Sequence, residues 1–129
     1  MLSRRSVLLA LAASAVAVTP AFAIGPQPFD EAAFAQARKA GKPIFVAIHA
    51  SWCPTCKAQA PILSELMANP KFKELVYFTV DFDSQKDVVR RFGARMQSTL
   101  ISFKGEKEEG RSVGDTNRAS ISALLDKVL

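Results

Sequence analysis

The chain's two cysteines, Cys53 and Cys56, stand two residues apart, just beyond an apolar run over residues 44–48. No other stretch constrains the fold as tightly. A continuous apolar run of this length suits a central strand buried on both faces. A helix beginning near Cys53 would then place that sulfur at the helix N-terminus, where unpaired backbone N–H groups and the positive end of the helix dipole favour an anion. Such a setting lowers a thiol from about 8.5 into a range of roughly 3.5–7.5, so that the reactive thiolate forms readily. Pro54 suits the first helical turn, where no N–H is needed. Cys56, one turn on, can attack a mixed disulfide formed at Cys53 and release the partner. Cys53 is therefore expected to be the exposed, more acidic nucleophile and Cys56 the more buried resolving thiol.

Two other uses of the pair are open to the sequence. A bridge across two intervening residues closes a tiny loop and removes little unfolded-state entropy, which argues against a purely structural disulfide. Structural zinc wants four ligands, whereas the chain has no second cysteine pair and a single histidine, His49. The alternative is a soft-metal module in which both thiolates and His49 hold copper or zinc. Redox exchange fits better, since it asks for nothing beyond the two sulfurs.

The block Trp52-Cys53-Pro54-Thr55-Cys56-Lys57 resembles the active-site motif of the thioredoxin family, W-C-x-x-C-K. Pro61 stands where the family carries the proline that kinks the active-site helix, and Asp83 where a strand closes. Residues Thr99-Leu100-Ile101-Ser102-Phe103-Lys104 are similar to the family's T-L-x-x-F-K strand, and Val113-Gly114 to the pair that ends the last strand. The likeness runs without a gap from Ile44 to Leu129. It implies an α/β thioredoxin-like fold, a central mixed sheet flanked by helices. It also implies a thiol–disulfide oxidoreductase with Cys53 and Cys56 as catalytic residues and Trp52, Pro54, Thr55, Gln97, Ser98 and His49 contacting substrate or tuning the site. No cofactor and no metal are implied. Oxidised protein substrates are the implied partners, a membrane thiol carrier the electron donor, reduction the direction, and a monomer the working form.

Three positions depart from the family pattern. The cis-proline opposite the cysteine pair falls on Ser98; a cis bond before a non-proline residue costs about 3–4 kcal/mol, so Gln97–Ser98 is expected to be trans. The family's buried aspartate, six residues before the first cysteine, is Ala47, and its partner lysine is Thr79. A proton leaving Cys56 must therefore use water or another group. His49 stands where the family often has tryptophan: as an imidazolium it would favour the Cys53 thiolate, and as a neutral ring it could accept a proton.

Residues 1–23 read as an export signal: Arg4-Arg5 form a basic start, residues 7–18 an apolar core, and Ala21-Phe22-Ala23 a cleavage site. The apolar core is shorter than the ~20 residues that span a bilayer comfortably. Ser3-Arg4-Arg5-Ser6-Val7-Leu8 is also compatible with twin-arginine export, so the route, secretory or twin-arginine, stays open. The remainder, residues 24–129, is expected to be one domain in an oxidising compartment, the periplasm of a Gram-negative source. Losing Arg4 and Arg5 lowers the formal charge from +5 to +3, and the remaining basic residues are interleaved with acids, which argues against a nucleic-acid partner.

Along that domain, Asp30 is expected to cap a helix reaching Ala40, followed by a strand over 44–50 and the active-site helix to Met67. A second strand is expected over 75–83. Ser84-Gln85-Lys86-Asp87 resembles a capping box for a short helix to Phe92. Strands over 100–104 and 111–114 pair around Gly105-Glu106, and Thr116 or Asn117 caps a final helix that buries Ile121, Leu124, Leu125 and Val128.

Overall fold

The apolar run becomes the middle strand of a five-stranded sheet. In the computed structural model, which describes residues 12–16 and 25–129, this strand is β2 (Pro43–His49). It lies parallel to β3 (Val76–Asp81) on one side and antiparallel to β4 (Thr99–Lys104) on the other. A two-residue β1 (Gln27–Pro28) extends the sheet beyond β3, and β5 (Lys107–Val113) extends it beyond β4, giving the order β1-β3-β2-β4-β5. Four helices, α1 (Glu31–Lys39), α2 (Pro54–Met67), α3 (Lys86–Arg91) and α4 (Arg118–Asp126), flank it. This is the expected mixed α/β architecture.

Alternation along the strands divides the core between the two faces of the sheet. Phe45 and Ala47 of β2 join Tyr77 and Leu100 beneath Leu63, Leu66 and Met67 of α2 and Ile121, Leu124 and Leu125 of α4. Ile44, Val46 and Ile48 point the other way, into a cluster completed by α1 and α3. There Phe29, Phe34, Phe78, Phe92 and Phe103 meet mostly edge to face, with centroids 5.3–5.9 Å apart, the geometry that ring quadrupoles favour. The consequence for the site is rigidity: β2 is gripped on both faces and both edges just before the chain reaches Cys53.

Helix ends follow the expected chemistry in two cases and depart in one. Asp30 accepts the Ala33 N–H at 2.8 Å and Asn117 accepts the Ser120 N–H at 2.9 Å, so α1 and α4 begin on side-chain caps. The capping box at Ser84 does not form. Gln85 precedes α3, and its side-chain oxygen accepts the Asp81 N–H at 2.9 Å instead. Asp81 takes up the free donors of the turn, accepting the N–H groups of Asp83 (3.0 Å) and Ser84 (2.8 Å). For the same reason β3 stops at Asp81, and Asp83 lies in the turn rather than closing the strand.

β5 begins at Lys107, four residues earlier than expected, after the two-residue turn Gly105-Glu106. Gly105 has φ 56°, a conformation that favours glycine. The early half of β5 is charged because it is an edge strand, and charge there discourages pairing with other chains. The expected export segment, residues 1–23, lies outside the described residues apart from 12–16, which carry no helix or strand. Among the described residues no helix is long and apolar enough to cross a membrane.

Candidate active site

The site is built where β2 hands the chain to α2. Cys53 is the N-cap of α2, held in extended geometry by its own N–H, which donates to Ala50 O at 3.1 Å. Its sulfur accepts the Cys56 N–H at 3.1 Å, and Pro54 occupies the first helical position as expected. One donor of the helix end is thereby spent on sulfur, the arrangement that stabilises a thiolate. Cys53 and Cys56 are joined as a disulfide with Cα atoms 5.3 Å apart.

Exposure reverses the expected order. Cys53 is completely buried, whereas Cys56 is partly exposed. With Ala47 and Thr79 where larger charged groups were sought, a cavity of about 340 Å³ opens beside Cys56. Its walls include His49, Lys57, Ala60, Tyr77 and Thr79 as well as Cys56, but not Cys53. The Tyr77 hydroxyl is pushed up to about 12 by burial, so it stays protonated at neutral pH.

The remaining expected residues fall around this pair. Trp52 is 54% exposed and its Nε1–H donates to Asp83 Oδ2 at 2.7 Å, which fixes the indole next to the disulfide. Pro54 is exposed and Thr55 partly so, both in the first turn of α2. His49 ends β2, in register with Asp81, and its carbonyl accepts the Phe82 N–H at 2.8 Å. Among the described residues no peptide bond is cis, so Gln97–Ser98 is trans as expected. Ser98 is buried and has φ 60°, the only positive φ at a non-glycine residue among those described. Its N–H donates to Ile48 O at 2.7 Å, while its carbonyl accepts from Gly114 N–H at 3.0 Å. Gln97, beside it, is partly buried.

Two residues contribute to the site in ways the sequence analysis does not assign. Gln59 is a buried amide on α2 whose Nε2 donates to Ser98 O (3.3 Å) and Asp115 O (2.9 Å), tying the Ser98 loop to the active-site helix. The signal was available: Gln59 shares the inward helical face of Leu63 and Leu66, where a polar residue needs a partner. Asp83 was placed as a strand end, and its role in holding Trp52 had no sequence signal. For the soft-metal alternative, no cluster of three or more His, Cys, Asp or Glu side chains arranged to hold an ion occurs among the described residues.

Comparison with known proteins agrees with this geometry. The thioredoxin family model matches residues 26–127. The chain is similar to the thioredoxin of Acidithiobacillus ferridurans, 34% identical over 91 residues that cover 70% of this chain and 83% of that protein. It is 31% identical over 100 residues to the bifunctional thioredoxin reductase/thioredoxin of Mycobacterium leprae, covering 78% of this chain and spanning 22% of that longer protein. Among solved structures, Trxlp from Edwardsiella tarda EIB202 superposes with a TM-score of 0.76 at 40% identity, covering 78% of this chain and 98% of that one. With its cysteine pair closed at the start of α2, the chain belongs to the thioredoxin family of thiol–disulfide oxidoreductases.

Proposed function

We propose that this chain is an exported thioredoxin that works as a reductant, passing electrons from a membrane thiol carrier to oxidised proteins of the periplasm. Thioredoxins act on oxidised protein substrates, and the observation that carries the reading is the Cys53–Cys56 disulfide seated on the N-terminus of α2. In the reduced protein one thiolate of the pair attacks a client disulfide, forming a mixed disulfide and releasing one client thiolate. The second thiol, deprotonated, attacks the domain's sulfur in that mixed bond, closes Cys53–Cys56 and releases the second client thiolate. Two electrons pass to the client, and no diffusible cofactor is required. Trp52, Pro54, Thr55 and the Gln97–Ser98 edge are the surface a client meets. His49 serves Cys56 as a proton partner through water, a role supported by its lining the cavity that Cys56 also lines.

Export is supported by the Arg4-Arg5 start, the apolar core and the Ala21-Phe22-Ala23 site. Residues 24–129 then act as a monomeric domain. Expressed from Met1 in a Gram-negative host, the protein should be recovered from the periplasm beginning at Ile24. The same material should accelerate reduction of insulin disulfides by dithiothreitol, and the Cys53→Ser/Cys56→Ser double variant should not. Retention in the cytoplasm with an intact N-terminus would remove the export reading; equal rates for the two proteins would remove the exchange reading.

A further inference from the structure

We propose that a second cavity, between α1, α3 and β5, binds the phosphate group of a small molecule. Its volume is about 310 Å³, and three arginines, Arg38, Arg91 and Arg111, line it against one carboxylate residue, Glu108. Phe34, Phe92 and Phe103 line it as well. They belong to the aromatic cluster, so this cavity lies on the sheet face away from α2 and the cysteine pair. The contacts of two guanidinium groups place them at its wall. Arg111 grips Glu108 with Nε and Nη2 at 3.0 and 2.6 Å, and the same Nη2 donates to Phe92 O at 2.7 Å. The Arg38 Cζ lies 5.4 Å from the centre of the Phe34 ring. Arg111 and Arg91 each have a carboxylate already, Glu108 and Glu31. Arg38 does not. Among the described residues its side chain reaches only the Glu106 carbonyl, from Nη2 at 3.4 Å, and its Nε is shielded from solvent with no hydrogen-bond partner.

A charged donor hidden from water without an acceptor is costly, and folded proteins leave few of them. An oxyanion in the cavity supplies what Arg38 lacks, since a guanidinium offers a planar fork of N–H groups that matches paired oxygens. Phosphate suits the place better than a carboxylate does. Its oxygens point in three directions, toward cations carried by α1, α3 and β5, whereas a carboxylate presents two oxygens in one plane. The site is also largely set before a ligand arrives. Arg111 is held by Phe92 O and Glu108, and Arg38 lies against Phe34, so little side-chain freedom is lost on binding. The volume lies at the lower end of the range for small-molecule sites. It admits free phosphate and the ester of a small alcohol alike.

Inorganic phosphate is the probe. Isotope-labelled protein, expressed from the full chain, is titrated with it at fixed pH, sodium chloride keeping the ionic strength constant, and the arginine Nε–H signals are followed by NMR. Those of Arg38 and Arg111 should shift to a saturating value. That of Arg118, which pairs with Glu65 beyond this cavity, should not. Arg38→Gln should weaken binding about tenfold. Glu108→Gln removes the carboxylate that competes for Arg111 and should tighten it. A drift that never saturates and is shared by Arg118, or an affinity unchanged in both variants, would overturn the proposal. Should Arg38→Gln fail to fold, the Glu108→Gln titration decides alone. Glycerol phosphate as a second titrant separates the two sources: tighter binding than inorganic phosphate assigns the site to an ester, and equal or weaker binding assigns it to the free anion.

Discussion

Ser98 shows how one residue can turn a buried loop without a cis peptide bond. Its peptide is trans, but its φ of 60° bends the chain in the left-handed region, which costs a residue with a Cβ roughly 1–2 kcal/mol. Hydrogen bonds to Ile48 and Gly114, with Gln59 on the carbonyl, hold it there. Proline at this position would lose the 2.7 Å bond to Ile48 O and could not reach a positive φ. Ser98→Pro should therefore cost at least about 2 kcal/mol, a fall in melting temperature on the order of 10 °C. Ser98→Gly should raise the melting temperature slightly, because glycine adopts this conformation without a steric penalty. A rise with proline would show that the loop can take the cis path after all. The sequence disclosed the trans bond through its energetic cost. The cavity beside Cys56 it could not disclose, because its walls bring together Ala47 and Thr79, two positions distant in sequence and adjacent only in the sheet.

At the scale of elements, legibility followed the strength of the apolar pattern. β2 and α4 carry clean signals and were placed to within two residues. β1 is two residues long and contains Pro28, so no period exists to detect, and it forms only because β3 offers it an edge. The β3–α3 junction was misread because Ser84 looks like a cap while Asp81 does the work. The backbone N–H and hydroxyl of Ser84, with smaller contributions from the Asp83 N–H and nearby His49, hold the Asp81 carboxyl below its usual range against a modest opposing effect of burial. A carboxylate depressed in the folded state adds stability above its unfolded value of about 3.9 and loses it as pH falls through the folded value. Asp81→Asn should accordingly melt below wild type at pH 7, and the two curves should converge in acid. A gap that stayed constant from neutral pH into acid would show that shape rather than charge matters at this junction.

For the whole molecule the question is whether the disulfide staples the fold or only works in it. Both faces of the sheet carry their own apolar cluster, and the large side chains shielded almost completely from solvent include Phe45, Phe72 and Phe78 along with nine aliphatic residues. Each contributes about 1.5–3 kcal/mol of burial free energy, an upper figure because unfolded chains already hide some surface. Against that sum, a bridge closing a four-residue loop removes unfolded-state entropy equivalent to roughly 2 kcal/mol. The disulfide lies at the edge of these clusters, where α2 begins, and most of the packing is remote from it. Reduction should therefore leave the domain folded, with a melting temperature lower by no more than about 10–15 °C. Thermal unfolding of oxidised protein and of protein kept in excess phosphine reductant checks this directly. Cooperative melting well above room temperature in both states leaves the pair free to open and close in each turnover. Loss of the folded state on reduction would mean that the sulfurs hold the molecule together, and a bond with that duty could not be given up to a client.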